Sequence, residues 1–243
     1  MNKAYCKIKF FLITLLTVCL ITFNAGCGLD TVYVIDAPGT IIHEPVYTSI
    51  FPEDKYFEFI TNERKYEGIN FLGTEIYYKI YRNSSVMENE RKIINSAALS
   101  DSSSSRSADL LISNYKYYSL EADGYYSSDV LIPFENDNRR VLIRLDDISP
   151  YEAGIFINGE NIYGASSRVL PVRNVPERVS FNFTKDDPKT IPKSDDVDVK
   201  YNGNGTDTEW YVCMFAVGVA QDANYVPVYS NALYLGSVKI DVN

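Results

Sequence analysis

Trp210-Tyr211-Val212-Cys213-Met214-Phe215-Ala216-Val217-Gly218-Val219-Ala220 carries no charged residue over its whole length. Side chains along a strand alternate between its two faces, so a strand with one wet face alternates apolar and polar residues. Here both alternating sets are apolar. The stretch therefore predicts a central strand covered on each side.

Runs with the simpler period of two lie on either side of it. In Glu75-Ile76-Tyr77-Tyr78-Lys79-Ile80-Tyr81 the residues Ile76, Tyr78 and Ile80 share a face. Val141, Ile143 and Leu145 repeat the pattern, as do Val179, Phe181 and Phe183, then Val197, Val199 and Tyr201, and finally Val238, Ile240 and Val242. Turn-forming clusters separate these runs: Glu135-Asn136-Asp137-Asn138, Asn158-Gly159 and Asn202-Gly203-Asn204-Gly205. Short strands punctuated in this way predict a mainly β protein built as a β-sandwich.

Ser84 to Leu99 departs from the pattern, with Val86, Glu90, Ile93, Ile94, Ala97 and Ala98 at helical spacing and Ser84 or Ser85 placed to cap the start. The serine-rich stretch from Asp101 to Ser107 has the composition of a flexible loop, and a second helical turn is predicted near Ala108 to Ser113. Residues 84–124 are thus expected to be a helical insertion between strands, packed on the sandwich by its apolar stripe. A split into two domains near Pro150 is the alternative to one elaborated sandwich over residues 56–243.

The N-terminus carries an address. Lys3, Lys7 and Lys9 lead into an apolar run from Phe10 to Phe23. At about 14 residues that run is shorter than the roughly 20 needed to span a bilayer as a helix. A positive start and a short apolar core describe a cleavable export signal over residues 1–26, and residues 27–55 then form a tether and first strand. The chain has 46% hydrophobic residues, too many for a disordered protein, and a formal charge of −9. Losing the signal removes three Lys and no acid, which brings the charge to −12. Such a domain lacks the clustered bases that displace counterions from phosphates, which argues against nucleic acid as a partner.

Phe23-Asn24-Ala25-Gly26-Cys27 resembles the lipobox of bacterial lipoproteins, in which small residues directly precede a cysteine. The resemblance implies diacylglycerol on Cys27 and an acylated new N-terminus, palmitate being one such acyl group. Asn24 stands where that family commonly has Leu, a departure that spirochaetal lipoproteins tolerate. The other reading is a secreted protein with a cysteine near its cleavage site. At about 0.8 kcal/mol per buried CH₂, several acyl chains hold a soluble domain to a leaflet.

Phe71 to Tyr81 resembles the tyrosine-rich third strand of fibronectin type III and related immunoglobulin-like modules. Trp210 to Ala220, followed by Tyr229-Ser230-Asn231-Ala232-Leu233, resembles their penultimate and last strands. The spacing is longer than in a standard module, and Tyr56 to Ile60 lacks the Trp that marks the second strand. With the lipobox, the chain resembles spirochaetal lipoproteins that carry fibronectin-like domains. This implies an immunoglobulin/fibronectin III-like β-sandwich with a helical insertion, lipid-anchored in the cell envelope on its periplasmic side or at the surface. It carries over no catalytic residue.

Little chemistry is legible. Cys6 and Cys19 leave with the signal and Cys27 would be lipidated, so Cys213 has no partner for a disulfide and is expected to be a small buried hydrophobe. The single histidine, His43, sits beside Glu44-Pro45 near the tether, and no nucleophile elbow or phosphate-cradling loop is present. One His and one Cys make no conventional zinc site. Asp146-Asp147, Asp186-Asp187 and Asp195-Asp196-Val197-Asp198 hold acids that calcium could use, but without EF-hand spacing they read as solvated loops. A glycosidase pair among 32 acids would leave no spacing signature. No metal, cofactor or enzymatic activity is expected.

Tyrosine is the compositional outlier, at 20 against 12 Phe and one Trp. Pairs such as Tyr77-Tyr78, Tyr117-Tyr118 and Tyr125-Tyr126 put at least one ring on the outer face of a strand. Tyr is a good strand former, and also a rigid contact residue at recognition surfaces. Tyr77, Tyr81, Tyr125 and Tyr126 are the candidate binding face. The leading expectation is a non-enzymatic envelope lipoprotein, structural or binding another envelope or host protein. The alternative is a glycan or small-ligand module using the Tyr face. A third, a carboxylate-dependent hydrolase, would need two acids converging in a cleft with perturbed titration.

Overall fold

The described residues of the computed structural model, 33–100, 104–125, 130–201 and 209–242, are mainly β, with antiparallel pairing nearly throughout. From Val34 onward they belong to one unit. In chain order the strands begin with β1 (Ile41–His43), β2 (Phe57–Ile60) and β3 (Asn70–Tyr81). Helix α1 (Ser84–Ser100) and the short α2 (Arg106–Asp109), continued by a π turn over Leu110–Asn114, follow. Then come β4 (Tyr118–Ser119), β5 (Glu121–Ala122), β6 (Ile132–Pro133), β7 (Arg140–Arg144), β8 (Gly154–Ile157), β9 (Glu160–Asn161) and β10 (Pro171–Val172). The last are β11 (Val199–Lys200), β12 (Glu209–Gln221), β13 (Pro227–Tyr229) and β14 (Leu233–Asp241).

Strands β1, β2, β7, β8 and β9 form a five-stranded sheet in that order. A seven-stranded sheet is built on β3 and β12, which pair antiparallel from Tyr81–Tyr211 to Asn70–Gln221. Strands β13 and β14 add to β12, and β4, β6 and β11 add to β3, β11 in parallel. β5 and β10 make a separate two-stranded ribbon.

The central pair buries a different core on each face. Ile76, Tyr78 and Ile80 of β3, with Val212, Met214 and Ala216 of β12, share one cluster with Phe57, Phe59, Val141, Ile143 and Ile155 of the five-stranded sheet. Tyr77, Tyr81, Cys213, Phe215 and Val217 occupy the opposite face, against Met87, Ile94, Ala108 and Leu111 of the helical segment. Each fully buried side chain of this size contributes about 1.5–3 kcal/mol. The sequence expectation of a central strand covered on both sides therefore holds, and the cover is sheet on one side and helix on the other.

The helix is where periodicity placed it, with two differences in detail. Its cap is Asn83, not Ser84 or Ser85: the Asn83 Oδ1 accepts from the N–H of Ser85 at 2.9 Å and of Val86 at 3.4 Å. Its buried stripe is Met87, Glu90, Ile94 and Ala97, while Ile93 is exposed. The strand expected at Val179 to Phe183 is also different. Phe181 and Phe183 are buried in the main core, but the segment makes only isolated bridges, Val172–Ser180 and Thr184–Asp187. Pro176, Pro188 and Pro192 punctuate this stretch and remove backbone donors a ladder would need. Around Val199 only two residues pair, and Val197 and Tyr201 are exposed.

Side chains hold this irregular segment instead. Arg173, fully buried, donates to Asp198 Oδ1 and to Asp196 Oδ2, each at 2.6 Å. The Tyr78 hydroxyl donates to Asp198 Oδ2 at 2.6 Å and accepts from the Asn174 N–H at 2.8 Å. On β3, Gly73 has φ +136° where β6 crosses, and a Cβ there would lie 2.1 Å from the Ile132 carbonyl oxygen. Only glycine lets the two backbones approach so closely.

Candidate functional site

The structure divides the tyrosines singled out in the sequence. Tyr77 and Tyr81 are buried beneath the helical segment. An outward binding face at those two positions is thus corrected: alternation turns them away from the main core as anticipated, but α1 covers them. The Tyr81 hydroxyl donates to Glu90 Oε2 at 2.6 Å and accepts from the Tyr117 hydroxyl at 2.9 Å, so its polar end is used internally. Tyr125 is exposed, and its ring centroid lies 4.6 Å from that of Tyr163. Tyr126, Cys27, the signal over residues 1–26 and the turn at 202–205 lie outside the described residues.

The acids and the cysteine are likewise placed by packing. Cys213 is fully buried, and burial pushes its thiol up to about 12. Asp147 accepts from the Ala153 N–H, Asn182 and Arg168 in a loop clasp, and these bonds hold its carboxyl below the usual range. Asp146 is buried beside it, and desolvation lifts it to about 6. Among the described residues no three His, Cys, Asp or Glu side chains gather as a metal site. His43, at the end of β1, packs edge-on against Tyr56 at 3.9 Å, and partial burial lowers its pKa.

Among the described residues a recess of about 470 Å³ is lined by Ala98, Leu99, Ala232, Leu233 and Tyr234 among others, and a larger and a smaller recess gather charged and aromatic side chains. The larger, about 780 Å³, lies on the outer face of the five-stranded sheet. Because β7 and β8 alternate, Val141, Ile143 and Ile155 face the core while Leu142 and Phe156 face outward, in register with each other and with Glu58 of β2. Leu142 and Phe156 are half-buried and form part of the groove lining. On one side Arg140 Nε meets Glu58 Oε1 at 2.6 Å. On the other the Arg144 guanidinium lies 5.3 Å from the Tyr56 ring centre and 4.7 Å from that of Tyr151, and donates to the Pro52 carbonyl at 2.8 Å. The bond to Pro52 and the flanking rings hold the cation in place. Gly154, opposite Arg144, leaves room for the Phe156 ring, which a Cβ would meet at 2.7 Å.

The smaller recess, about 50 Å³, is lined by Glu75, Ser119, Glu121, Tyr125, Leu131 and Tyr163 among others. Glu75 is buried and accepts from the N–H groups of Ile76 and Leu131, each at 3.2 Å. Tyr163 holds the same residue through its other backbone group, its hydroxyl donating to the Leu131 carbonyl at 2.9 Å. Desolvation pushes Glu75 up to about 8, and the Glu121 charge adds to that. Arg178 pairs with Glu121 and donates to the carbonyls of Ala122 and Tyr125. Tyr163 and Arg178 both have positive φ, 61° and 49°, conformations that cost energy and that the packing here enforces.

Sequence reasoning passed over Glu75, Arg144, Phe156 and Tyr163. Phe156 stands in no quoted alternation, and Glu75 reads as the wet side of a strand. Its burial depends on segments distant in sequence. No helix among the described residues is long and apolar enough to cross a membrane. The chain matches no protein-family model, no curated protein and no solved structure.

Proposed function

We propose that this chain is a lipid-anchored protein of a bacterial envelope. In this reading an immunoglobulin/fibronectin III-like β-sandwich binds another protein through the outer face of its five-stranded sheet. The observation that carries the binding role is the groove with Leu142 and Phe156 at its floor, flanked by Arg140 and by Arg144 between Tyr56 and Tyr151. Apolar centres with aromatic and Arg neighbours are the composition of protein-binding hot spots. The sandwich reading is supported by the two sheets that share one core, with the helical segment as an outer addition. The anchor rests on the lipobox resemblance at Cys27.

The small recess bears on the carboxylate-hydrolase reading. Two acids, Glu75 and Glu121, do converge there, but about 50 Å³ has no space for a sugar ring, and Glu121 is paired with Arg178. The second reading, a glycan or small ligand, draws on the exposed Tyr151 ring at the groove wall and on a volume within the usual range of ligand sites.

A photo-crosslinking residue at Phe156, in cells carrying the full chain, tests the proposal against the same label at the exposed Lys185. A discrete protein adduct from position 156, lost on Leu142→Glu, is expected. No adduct from the groove, together with glycan binding abolished by Tyr151→Ala, would transfer the site to the second reading. Cys27→Ser should release the chain from the membrane fraction, and retention there would remove the lipid anchor.

A further inference from the structure

We infer that the recess around Glu75 is a receptor for a primary ammonium group, with Glu75 as counter-ion and the Tyr125 and Tyr163 rings at its mouth. The case begins with an imbalance. Among the described buried acids, Glu58, Glu63, Glu90 and Asp198 each meet a basic side chain, at 2.6, 2.8, 3.1 and 2.6 Å respectively. Asp146 lies in the field of Lys55 and Arg144. Among the described residues Glu75 has no such partner. Within that set its oxygens accept from the backbone N–H groups of Ile76 and Leu131, and the charge acting on it, that of Glu121, is negative. A buried carboxylate without a cation is far costlier than a paired one.

The recess has the size and lining for the missing cation. About 50 Å³ has room for roughly three waters, or for one ammonium head and its first carbons. An ammonium brings three donors and no acceptor. Glu75, Glu121 and the Ser119 hydroxyl offer oxygen acceptors around the same space, and the rings of Tyr125 and Tyr163 offer π faces that attract cations.

Entry of the cation releases the Glu75 proton to solvent, so charge in the pocket balances. The groups that face Glu75 are Glu121 from β5, Tyr77 from β3 itself, Tyr163, and Tyr229 from β13. Arg178 lies beyond Glu121. Burial raises all three of these phenols above their ordinary range, so near neutral pH the proton comes from Glu75.

The test is calorimetric titration of the full chain near pH 7 in two buffers of different ionisation enthalpy. The ligands are n-propylammonium and N-acetyl-lysine amide, with n-propanol as the uncharged control. Saturable binding of the ammonium ligand with release of about one proton is expected, at least about tenfold weaker in Glu75→Gln and absent for propanol. Binding of propylammonium alone assigns free small amines, whereas binding of both ligands extends the site to lysine side chains. No saturable binding, binding without proton release, or equal binding in Glu75→Gln overturns the inference. Should Glu75→Gln lower the melting temperature at pH 5, Tyr125→Ala on the exposed rim decides instead: weaker binding supports the site and unchanged binding overturns it.

Discussion

Lys79 Nζ and Glu90 Oε2 lie 3.1 Å apart between β3 and helix α1, with side chains only 7% and 10% exposed. Lys79 also donates to the Tyr115 carbonyl, and Glu90 accepts from Tyr81, so the pair anchors the helical segment to the sheet at both ends. Breaking one side of such a buried pair costs about 3–5 kcal/mol, because the other charge is left unmatched. Lys79→Met is expected to lower the unfolding free energy from urea titration by that amount, and Lys79→Met with Glu90→Leu to recover most of it. A single variant as stable as the parent would show that the pair does not anchor the helix.

Glu75 makes stability depend on pH. Burial lifts it from 4.5 to about 8, so between those values the folded chain holds a proton that the unfolded chain has given up. Its contribution is therefore most favourable below about pH 4.5, falls as pH rises, and levels off above about pH 8. Glu75→Gln removes this dependence. Circular-dichroism melts from pH 5 to 9 should show the variant gaining on the parent as pH rises. A difference that stays flat with pH would contradict the buried, unpaired carboxyl.

Gly73 and Gly124 separate crowding from backbone strain. Both have positive φ, but a Cβ at Gly73 meets the Ile132 oxygen at 2.1 Å and one at Gly124 meets nothing within 4 Å. Gly124→Ala should cost about 1 kcal/mol from conformation alone. Gly73→Ala must also push β6 from β3 and should cost clearly more, about 3 kcal/mol or above. Thermal melts that rank the two equally would mean that β6 yields freely.

Cys213 reports opening of the layer beneath α1. It is fully buried, with its thiol raised to about 12, and thiolate is the reactive form. A disulfide reagent at pH 8 is expected to label the native chain only at the rate of unfolding, and faster in Lys79→Met. Immediate labelling of the native chain would place the thiol within reach of solvent.

The elements were legible wherever local pattern decides them. Ile76, Tyr78 and Ile80 alternate because a strand alternates, and all three are in the main core. Helix α1 was found from its spacing, although Asn83 took the cap and Met87, not Ile93, the buried stripe. Phe181 and Phe183 are buried, as their alternation implies, but form no strand, since burial is set by the main core and pairing fails in a proline-punctuated segment held by Arg173.

The sequence by itself determined the period of each segment and the double-sided apolar character of Trp210 to Ala220. These follow from chain geometry within a few residues. What covers each face was decided only by tertiary structure. Tyr77 and Tyr81 occupy the side of β3 turned from the main core, which would be wet in a bare sheet, and the helical segment buries both. The same packing sets Glu90 beside Lys79, while the ends of β4 and β5 close Glu75 into a recess without a cation. Partners and burial arise between residues tens of positions apart, and no periodicity encodes them.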